Sequence, residues 1–324
     1  MSVPPTSVLV YVGLDAVGDG LMKLPFVRAL RTAFPAARIT WAAGKGHTVY
    51  AGSLAPLVSG LIDEVLDEAG FGSRAAELVG RRPLAGREFD LIVDTQRRVL
   101  TTLILRRVRH RRMISAAAGF LFSDVRPADA AKPPSMVGQL LRLVELAGGR
   151  PVNAAAPLPR DSAAEALANE LLPAGPRYVG FAPGAGGRQK CWPLDRFIAV
   201  AADCTAKGLA PVFILGPNEA EWVGPIRAAL PGALLPLQRG VPVTPMLTIA
   251  LARRMAAAVA NDSGTGHMLA AADVPLVSLF GPTRADKFAP AAARLSVLAA
   301  ASWGGEAMEL IPVAAVSAAL AALL

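Results

Sequence analysis

The chain has 324 residues, 53% of them apolar and 18% charged, and its 33 basic and 25 acidic residues give a net charge of +8. This composition excludes a disordered chain, and the length suffices for about two domains with substantial cores. The positive balance favours an anionic partner, but an aromatic content of 6% and the lack of a nucleic-acid-binding motif argue against nucleic acid.

The first half of the chain alternates apolar strands with helices. A glycine-bearing turn at residues 14–20 separates the first strand from a helix that runs to Phe34. Strands that alternate with helices form parallel sheets with helices on both faces, so this half predicts a doubly wound sheet. The predicted strands are Ser7–Gly13, Arg38–Ala43, Ile62–Leu66 and Phe89–Asp94, the last of which runs into Thr95 and Gln96.

Arginine dominates residues 97–112, which are predicted to begin as a helix. Such a segment is either a solvated helix face or a basic wall towards an anionic acceptor or lipid head groups. Its arginines are Arg97, Arg98, Arg106, Arg107, Arg109, Arg111 and Arg112.

Proline- and glycine-rich stretches at residues 151–159 and 172–176 bracket a short helix and mark a linker. A second strand–helix series follows, so we expect two domains, residues 1–165 and 175–324. An apolar helix at residues 313–324 closes the chain, and packing on the N-terminal domain is one option for it. The strands predicted in this half are Arg177–Ala182, Pro211–Leu215, Met255–Ala260 and Leu276–Phe280.

Polar residues crowd the turn that follows the strand Met255–Ala260. Asp262, Ser263, Thr265 and His267 lie within six residues, next to Gly264, and a helix begins there. The free N–H groups at a helix start favour an anion, and ligands of open α/β sheets bind at the carboxyl ends of strands. The turn is therefore either a phosphate site or an ordinary connection between a strand and a helix.

A glycine-rich loop, residues 183–190, follows the first strand of the second half and ends in Lys190. Glycines let the backbone approach a ligand, and a lysine there can meet phosphate oxygens, although an exposed lysine is the simpler interpretation. Glu219 follows the next strand, where it would bind a ribose or cap a helix. The loop matches neither a Walker motif nor the dinucleotide fingerprint.

Two cysteines, Cys191 and Cys204, show no metal-ligand or disulfide spacing, so a reducing cytoplasm is expected. The N-terminus lacks the pattern of a signal peptide. The apolar run Ile311–Leu324 is too short to span a bilayer. We therefore expect a soluble protein, with peripheral contact to the inner face of the cytoplasmic membrane left open.

Taken together, these segments resemble glycosyltransferase family 9, the bacterial heptosyltransferases of lipopolysaccharide core assembly. The likeness extends over nearly the whole chain in the expected order. Its segments are Val17–Gly20 with Leu24–Leu30, Pro183–Lys190 with Trp192-Pro193, Leu215–Glu219, Asn261–His267 and Phe280–Thr283.

The resemblance implies a GT-B architecture, in which two Rossmann-like domains face a cleft. It implies an acceptor on the N-terminal domain and a nucleotide sugar on the C-terminal domain. The expected reaction is an inverting, metal-independent transfer from ADP-L-glycero-D-manno-heptose, without a cofactor, to an anionic lipid-linked oligosaccharide.

The resemblance also assigns roles to residues. Asp19 falls on the position of the catalytic carboxylate, which suits a general base, although its place also permits a helix N-cap. The expected acceptor-binding residues are Lys23, Gln96, Arg97 and Arg107. The expected donor-binding residues are Gly184, Lys190, Glu219, Asp262, Ser263, Gly264, Thr265 and His267.

Departures from the family pattern lie in the glycine-rich loop. Members often carry Ser or Thr before the lysine, where this chain has Ala185, Gly186 and Gly187, and Cys191 stands where a basic or polar residue is common. Two alternatives therefore stay open: a family member with another nucleotide sugar or glycan, and a non-catalytic nucleotide-binding paralogue. A nicotinamide-dependent oxidoreductase is disfavoured, because the first turn lacks the G-x-G-x-x-G spacing.

Overall fold

The structure, a computed structural model, describes residues 4–324 except residues 130, 153 and 155. The chain divides into two compact units, with the boundary between Pro159 and Arg160. None of the helices in these described ranges is long and apolar enough to cross a membrane.

The N-terminal unit contains a parallel sheet in the order β3-β2-β1-β4-β5. Its strands are β1 (Ser7–Val12), β2 (Arg38–Ala43), β3 (Glu64–Leu66), β4 (Glu88–Asp94) and β5 (Arg109–Ser115). Its helices are α1 (Val17–Ala33), α2 (Ala55–Val58), α3 (Val99–Leu105) and α4 (Met136–Gly148).

The C-terminal unit contains a second parallel sheet, in the order β10-β9-β8-β6-β7. Its strands are β6 (Tyr178–Ala182), β7 (Ala210–Phe213), β8 (Met255–Asn261), β9 (Leu276–Phe280) and β10 (Leu295–Ala299). Its helices are α5 (Ser162–Leu171), α6 (Leu194–Ala206), α7 (Val223–Ala229), α8 (Pro245–Ala252), α9 (Gly264–Ala271), α10 (Ala285–Phe288) and α11 (Val313–Leu323).

Strands β6, β8 and β9 of the second sheet are buried on both faces, as their continuous apolar sequences require. Side chains alternate between the faces of a strand, so Val179 and Phe181 of β6 enter one apolar cluster while Tyr178 enters the other. The C-terminal helix α11 belongs to the first of these clusters, through its buried residues Val316 and Leu320.

The elements missed from the sequence include β5, α8 and β10. The β5 strand begins with exposed arginines, because it lies at an edge of its sheet and charged side chains protect an edge from pairing with another chain. Helix α8 is buried all round, so it shows no amphipathic period.

In each sheet the strand order reverses direction at one position, where ligands of open α/β sheets bind. The reversal lies between β1 and β4 in the N-terminal unit and between β6 and β8 in the C-terminal unit. The loops that follow these four strands carry most of the residues singled out in the sequence.

Candidate functional site

Asn261 joins the two loops at the reversal point of the C-terminal sheet. Its side-chain N–H donates to the carbonyl of Pro183 at 2.6 Å, and its side-chain oxygen accepts from the backbone N–H of Trp192 at 3.2 Å. The residue is fully buried. It therefore fixes both ends of the glycine-rich loop against the end of β8.

An ion pair links the end of the glycine-rich loop to the residue before the N-cap of α9. The Nζ of Lys190 lies 2.9 Å from a carboxylate oxygen of Asp262, and the two side chains are 33% and 11% exposed. The lysine that ends the glycine-rich loop is thus held at the start of α9, with part of its charge open to solvent. A phosphate placed there would meet a cation that is already positioned.

Helix α9 begins in the polar turn after β8. Ser263 is its N-cap, and its Oγ accepts from the backbone N–H of Gly266 at 3.2 Å. A Cβ on Gly266 would lie 2.9 Å from the backbone oxygen of Asn261, so only glycine lets the helix pack this closely on the strand. Gly264 and Thr265 form the partly exposed first turn, and His267 is buried behind them.

Glu219 lies against the start of the glycine-rich loop. A Cβ on Gly184 would lie 2.5 Å from its Oε1, and a Cβ on Gly216 would lie 2.8 Å from its Oε2. The residue sits in a short 3₁₀ helix, Pro217–Trp222, that precedes α7. No side chain caps either helix in the described structure, so helix capping is not the role of this carboxylate.

The reversal point of the N-terminal sheet carries Asp19. Helix α1 begins at Val17 with Ala16 as its N-cap, so Asp19 is the third helical residue and the N-cap alternative is wrong. Its carboxylate is exposed and, among the described residues, makes no hydrogen bond or ion pair. It is therefore open to a substrate.

Lys23, one turn further along α1, forms an ion pair with Asp15. The Asp15 carboxylate is buried and also accepts from the hydroxyl of Thr48 at 2.8 Å. Sequence reasoning overlooked Asp15, because a lone acid in a turn carries no recognisable spacing. The pair fixes Lys23 beside the turn that precedes α1.

Gln96 lies next to the turn after β1, since a Cβ on Gly13 would lie 3.3 Å from its Oε1. The carboxylate of Asp94 holds the loop after β4 in place. It accepts hydrogen bonds from the backbone N–H of Gln96 at 2.8 Å and from the hydroxyls of Thr102 at 2.6 Å and Ser115 at 2.8 Å. Burial raises the pKa of Asp94 to about 6, against the opposing effect of these three donors.

Arg97 lines a basic cavity of about 320 Å³ at the carboxyl-terminal edge of the N-terminal sheet. Its guanidinium donates to the side chain of Gln139 at 3.2 Å. Further cationic and polar side chains line this cavity between the loop after β5 and helix α4, namely Arg126, Lys132, Gln139 and Arg142.

Arg107 lies elsewhere. It precedes β5, at the amino-terminal edge of the sheet, and its guanidinium donates to the backbone carbonyls of Glu77 and Gly80. A seven-residue strand separates the two edges by about 20 Å. The structure therefore brings Gln96 to the turn that leads to Asp19 but does not bring Arg107 there.

Groups of three or more His, Cys, Asp or Glu that could hold a metal ion are absent from the described part of the chain.

Both sheets and the loops at their reversal points define an α/β protein of the GT-B architecture, the predicted fold class. Residues 80–309 match the model of glycosyltransferase family 9 (heptosyltransferase), and the chain belongs to that family. The resemblance found in the sequence is thereby confirmed.

Similar proteins of known sequence or known structure include members of the same family. The chain is 38% identical over 109 residues to lipooligosaccharide heptosyltransferase 2 of Haemophilus influenzae, an alignment that spans 32% of this chain and 31% of the relative. A family 9 glycosyltransferase from Veillonella parvula matches with a TM-score of 0.74 at 20% identity, covering 100% of this chain and 98% of that one. ADP-heptose LPS heptosyltransferase II of E. coli matches with a TM-score of 0.65 at 23% identity, covering 98% of each chain. These two structures establish the fold.

Proposed function

We propose that the protein is an inverting, metal-independent transferase that moves heptose from ADP-heptose to an anionic, lipid-linked acceptor of the lipopolysaccharide core. Family membership and the names of its relatives support the reaction class. The observation that carries the proposal is the cradle of the C-terminal unit, in which Lys190, Asp262 and the start of α9 converge.

The cradle suits the diphosphate of the donor. Lys190 would share its charge between Asp262 and a phosphate oxygen, and the first turn of α9 would offer backbone N–H groups. Residues 183–189, before Lys190, carry no hydroxyl group, so backbone N–H groups would supply the contacts to phosphate. When the anomeric bond breaks, the same groups would stabilise the charge on departing ADP.

Glu219 would bind the ribose of the donor. Its carboxylate lies beside Gly184, so a nucleoside resting on the glycine-rich loop would place a ribose hydroxyl pair within its reach. His267, buried behind the first turn of α9, would contribute to the wall of the sugar site.

Asp19 would act as the general base. An inverting transfer forms one bond, between the acceptor oxygen and the anomeric carbon, as the bond to ADP breaks. The proton of the acceptor hydroxyl passes to the carboxylate of Asp19, which makes the oxygen a better nucleophile. The exposure of this carboxylate leaves it accessible to the acceptor.

The acceptor would occupy the basic cavity beside Arg97. Carboxylates and phosphates of a core oligosaccharide match the guanidinium groups of Arg97 and Arg126. Gln96 precedes Arg97, which lines this cavity, and lies next to the turn that leads to Asp19, so a sugar held in the cavity would extend towards the base.

Calorimetric titration with ADP, UDP, GDP and NAD tests the nucleotide assignment. We expect tight binding of ADP alone, followed by heptose transfer in a donor screen with purified protein. Tight binding of NAD without ADP would reject the transferase function, and tight binding of UDP or GDP would assign a different donor.

A further inference from the structure

A second basic cavity lies at the amino-terminal edge of the N-terminal sheet, where α3 ends and β5 begins. Its volume is about 670 Å³, which is within the range of small-molecule sites. Among the described residues, its lining holds one acid, Glu88, and four arginines, namely Arg82, Arg106, Arg107 and Arg109. We call it the arginine cavity.

Two of these arginines are held in place by neighbouring groups. The guanidinium of Arg107 donates to two backbone carbonyls. That of Arg106 donates to the carbonyl of Phe122 at 2.7 Å and pairs with Asp124 at 3.2 Å. A carbonyl orients a guanidinium without neutralising it, so Arg107 contributes a positioned positive charge.

The other two arginines are uncommitted. Arg82 and Arg109 are exposed, and their guanidinium groups make no hydrogen bond or ion pair within the described part of the chain. Glu88 lies opposite Arg109 in the register of β4 and β5, so it offsets one charge, and Asp124 offsets that of Arg106. Two positive charges of the four therefore remain for a ligand to neutralise.

Packing fixes the loop that carries Arg82. Leu84 has a φ of 51°, in the left-handed region that residues other than glycine ordinarily avoid, and its side chain packs against an apolar cluster of the N-terminal unit. Arg87, at the end of the loop, forms an ion pair with Glu64. Surroundings that hold a strained backbone in this way are typical of binding segments.

The composition of the lining selects the ligand. The planar guanidinium group of arginine matches phosphate oxygens in a two-point contact. Phe, Tyr and Trp are absent from the described lining, which leaves no ring on which a base could stack, and Val108 is its one apolar residue. The cavity beside Arg97 differs, because Phe120 and several alanines and prolines form part of its wall. The arginine cavity thus suits a compact molecule that is dense in phosphate.

We propose that the arginine cavity binds a soluble anion that carries two or more phosphate groups. The cavity and Asp19 lie at opposite edges of the sheet, about 20 Å apart, so a ligand held there would not meet the proposed base. The ligand is therefore distinct from the acceptor of the proposed transfer. Its binding requires neither the donor nor the transfer, so the two proposals fail separately.

Calorimetric titration of the whole chain with inorganic triphosphate tests the site. Excess ADP is present, because the probe can also enter the cradle beside Lys190. We expect binding of one triphosphate, weakened by high salt because exposed charges make the contacts. Arg82→Gln and Arg109→Gln should each raise the Kd about tenfold, and the double variant about a hundredfold, since each removes a charge-assisted contact.

Arg81→Gln is the matched control. Arg81 is exposed and precedes Arg82 on the same loop, but it does not line the cavity. Its variant removes the same charge and should change the Kd by less than about twofold, because salt screens an exposed charge that makes no contact. Arg82 and Arg109 have no partner among the described residues, so the melting temperatures of all these variants should equal that of the natural protein.

No binding of triphosphate beside ADP, or an unchanged Kd in the double variant, would overturn the site. An equal loss in Arg81→Gln would also overturn it, because the attraction would then be a diffuse field. Loss of triphosphate binding in Lys190→Ala would assign the anion to the donor cradle instead.

A lipid head group offers the same phosphate chemistry as a soluble anion. Co-sedimentation with phosphatidylglycerol vesicles that depends on Arg82 and Arg109, without triphosphate binding, would overturn the proposal and assign the cavity to lipid. A failed ADP titration with triphosphate binding that still depends on Arg82 and Arg109 would remove the proposed function and leave this site in place.

Discussion

Lys190 and Asp262 form an ion pair of 2.9 Å between the end of the glycine-rich loop and the start of α9. The pair joins two segments that are 72 positions apart in the chain. Asp262 would repel a diphosphate, and the adjacent ammonium group offsets that charge. In the proposed donor site, the one lysine would therefore serve two anions.

Lys190→Ala should weaken ADP binding about tenfold to a hundredfold, which corresponds to the loss of a charge-assisted hydrogen bond of about 1.5–3 kcal/mol. The variant also leaves Asp262 unpaired and mostly buried, which adds repulsion. Calorimetric titration with ADP measures the change. Lys207→Ala, an exposed lysine after α6, is the control and should bind ADP normally; equal affinities of the two variants would exclude Lys190 from the site.

Asp19→Asn should reduce turnover about a hundredfold or more while ADP affinity stays unchanged, because the amide cannot accept the proton of the acceptor hydroxyl. Steady-state kinetics with saturating donor, together with ADP titration, separates the two effects. Glu88→Gln removes an exposed acid at the other edge of the same sheet and should leave turnover intact. A normal rate for Asp19→Asn would assign the base to another residue.

The sequence predicted the fold where strands were apolar and bounded by turn residues. Strands β2 and β9 match their predicted bounds, Arg38–Ala43 and Leu276–Phe280. Strand β5 was not recognised in the sequence, because edge strands carry charges and its arginines resemble those of a solvated helix. Residues 97–112 were consequently interpreted as one basic surface, whereas in the structure Arg97 and Arg107 lie at opposite edges of the sheet.

Contacts between distant segments could not be read from the sequence. Local spacing pointed to Lys190 and Asp262 separately, but their ion pair depends on the pairing of β6 with β8. Asn261 was recognised as part of a motif without a role of its own. Its two hydrogen bonds became visible only when the loop after β6 was placed beside β8.

Arg97→Ala should raise the Michaelis constant for the acceptor about tenfold, since a charge-assisted contact to an acidic sugar is lost. Arg107→Ala is the matched control. The carbonyl groups of Glu77 and Gly80 lose their donor in this variant, so the stability of the fold should decrease while the Michaelis constant for the acceptor stays unchanged. Acceptor kinetics and thermal unfolding of both variants measure this. A raised acceptor constant in Arg107→Ala alone would place the acceptor at the amino-terminal edge.

Asn261→Ala should destabilise the C-terminal unit by about 3 kcal/mol and weaken ADP binding. The carbonyl of Pro183 and the N–H of Trp192 lose their partner in a buried place, and each unsatisfied group costs about 1–3 kcal/mol. Urea unfolding and ADP titration measure the two effects.

Ser278→Ala provides the control for Asn261→Ala. Ser278 pairs in register with Ala260, the residue before Asn261, and in the described part of the chain its buried hydroxyl finds no hydrogen-bond partner. Its removal should change the free energy of unfolding by less than about 0.5 kcal/mol. Equal losses in the two variants would mean that Asn261 contributes packing rather than hydrogen bonds.

Asp94→Asn should change how stability depends on pH. Burial raises the pKa of Asp94 from 3.8 to about 6, so the unfolded chain loses this proton at lower pH than the folded chain does. Between those values the unfolded state binds fewer protons, and the free energy of unfolding falls as pH rises, by up to about 3 kcal/mol. The amide side chain of the variant cannot titrate, so the variant lacks this fall.

The measurement is urea unfolding of both proteins at pH 4 and pH 7. The natural protein should lose stability relative to the variant over that interval, and the other titrating groups cancel in the comparison. Ser115→Ala removes a hydroxyl that donates to the carboxylate and lowers its pKa, so in that variant the fall should extend to higher pH. Parallel pH profiles for the natural protein and Asp94→Asn would show that this carboxyl group titrates alike in the folded and unfolded chain.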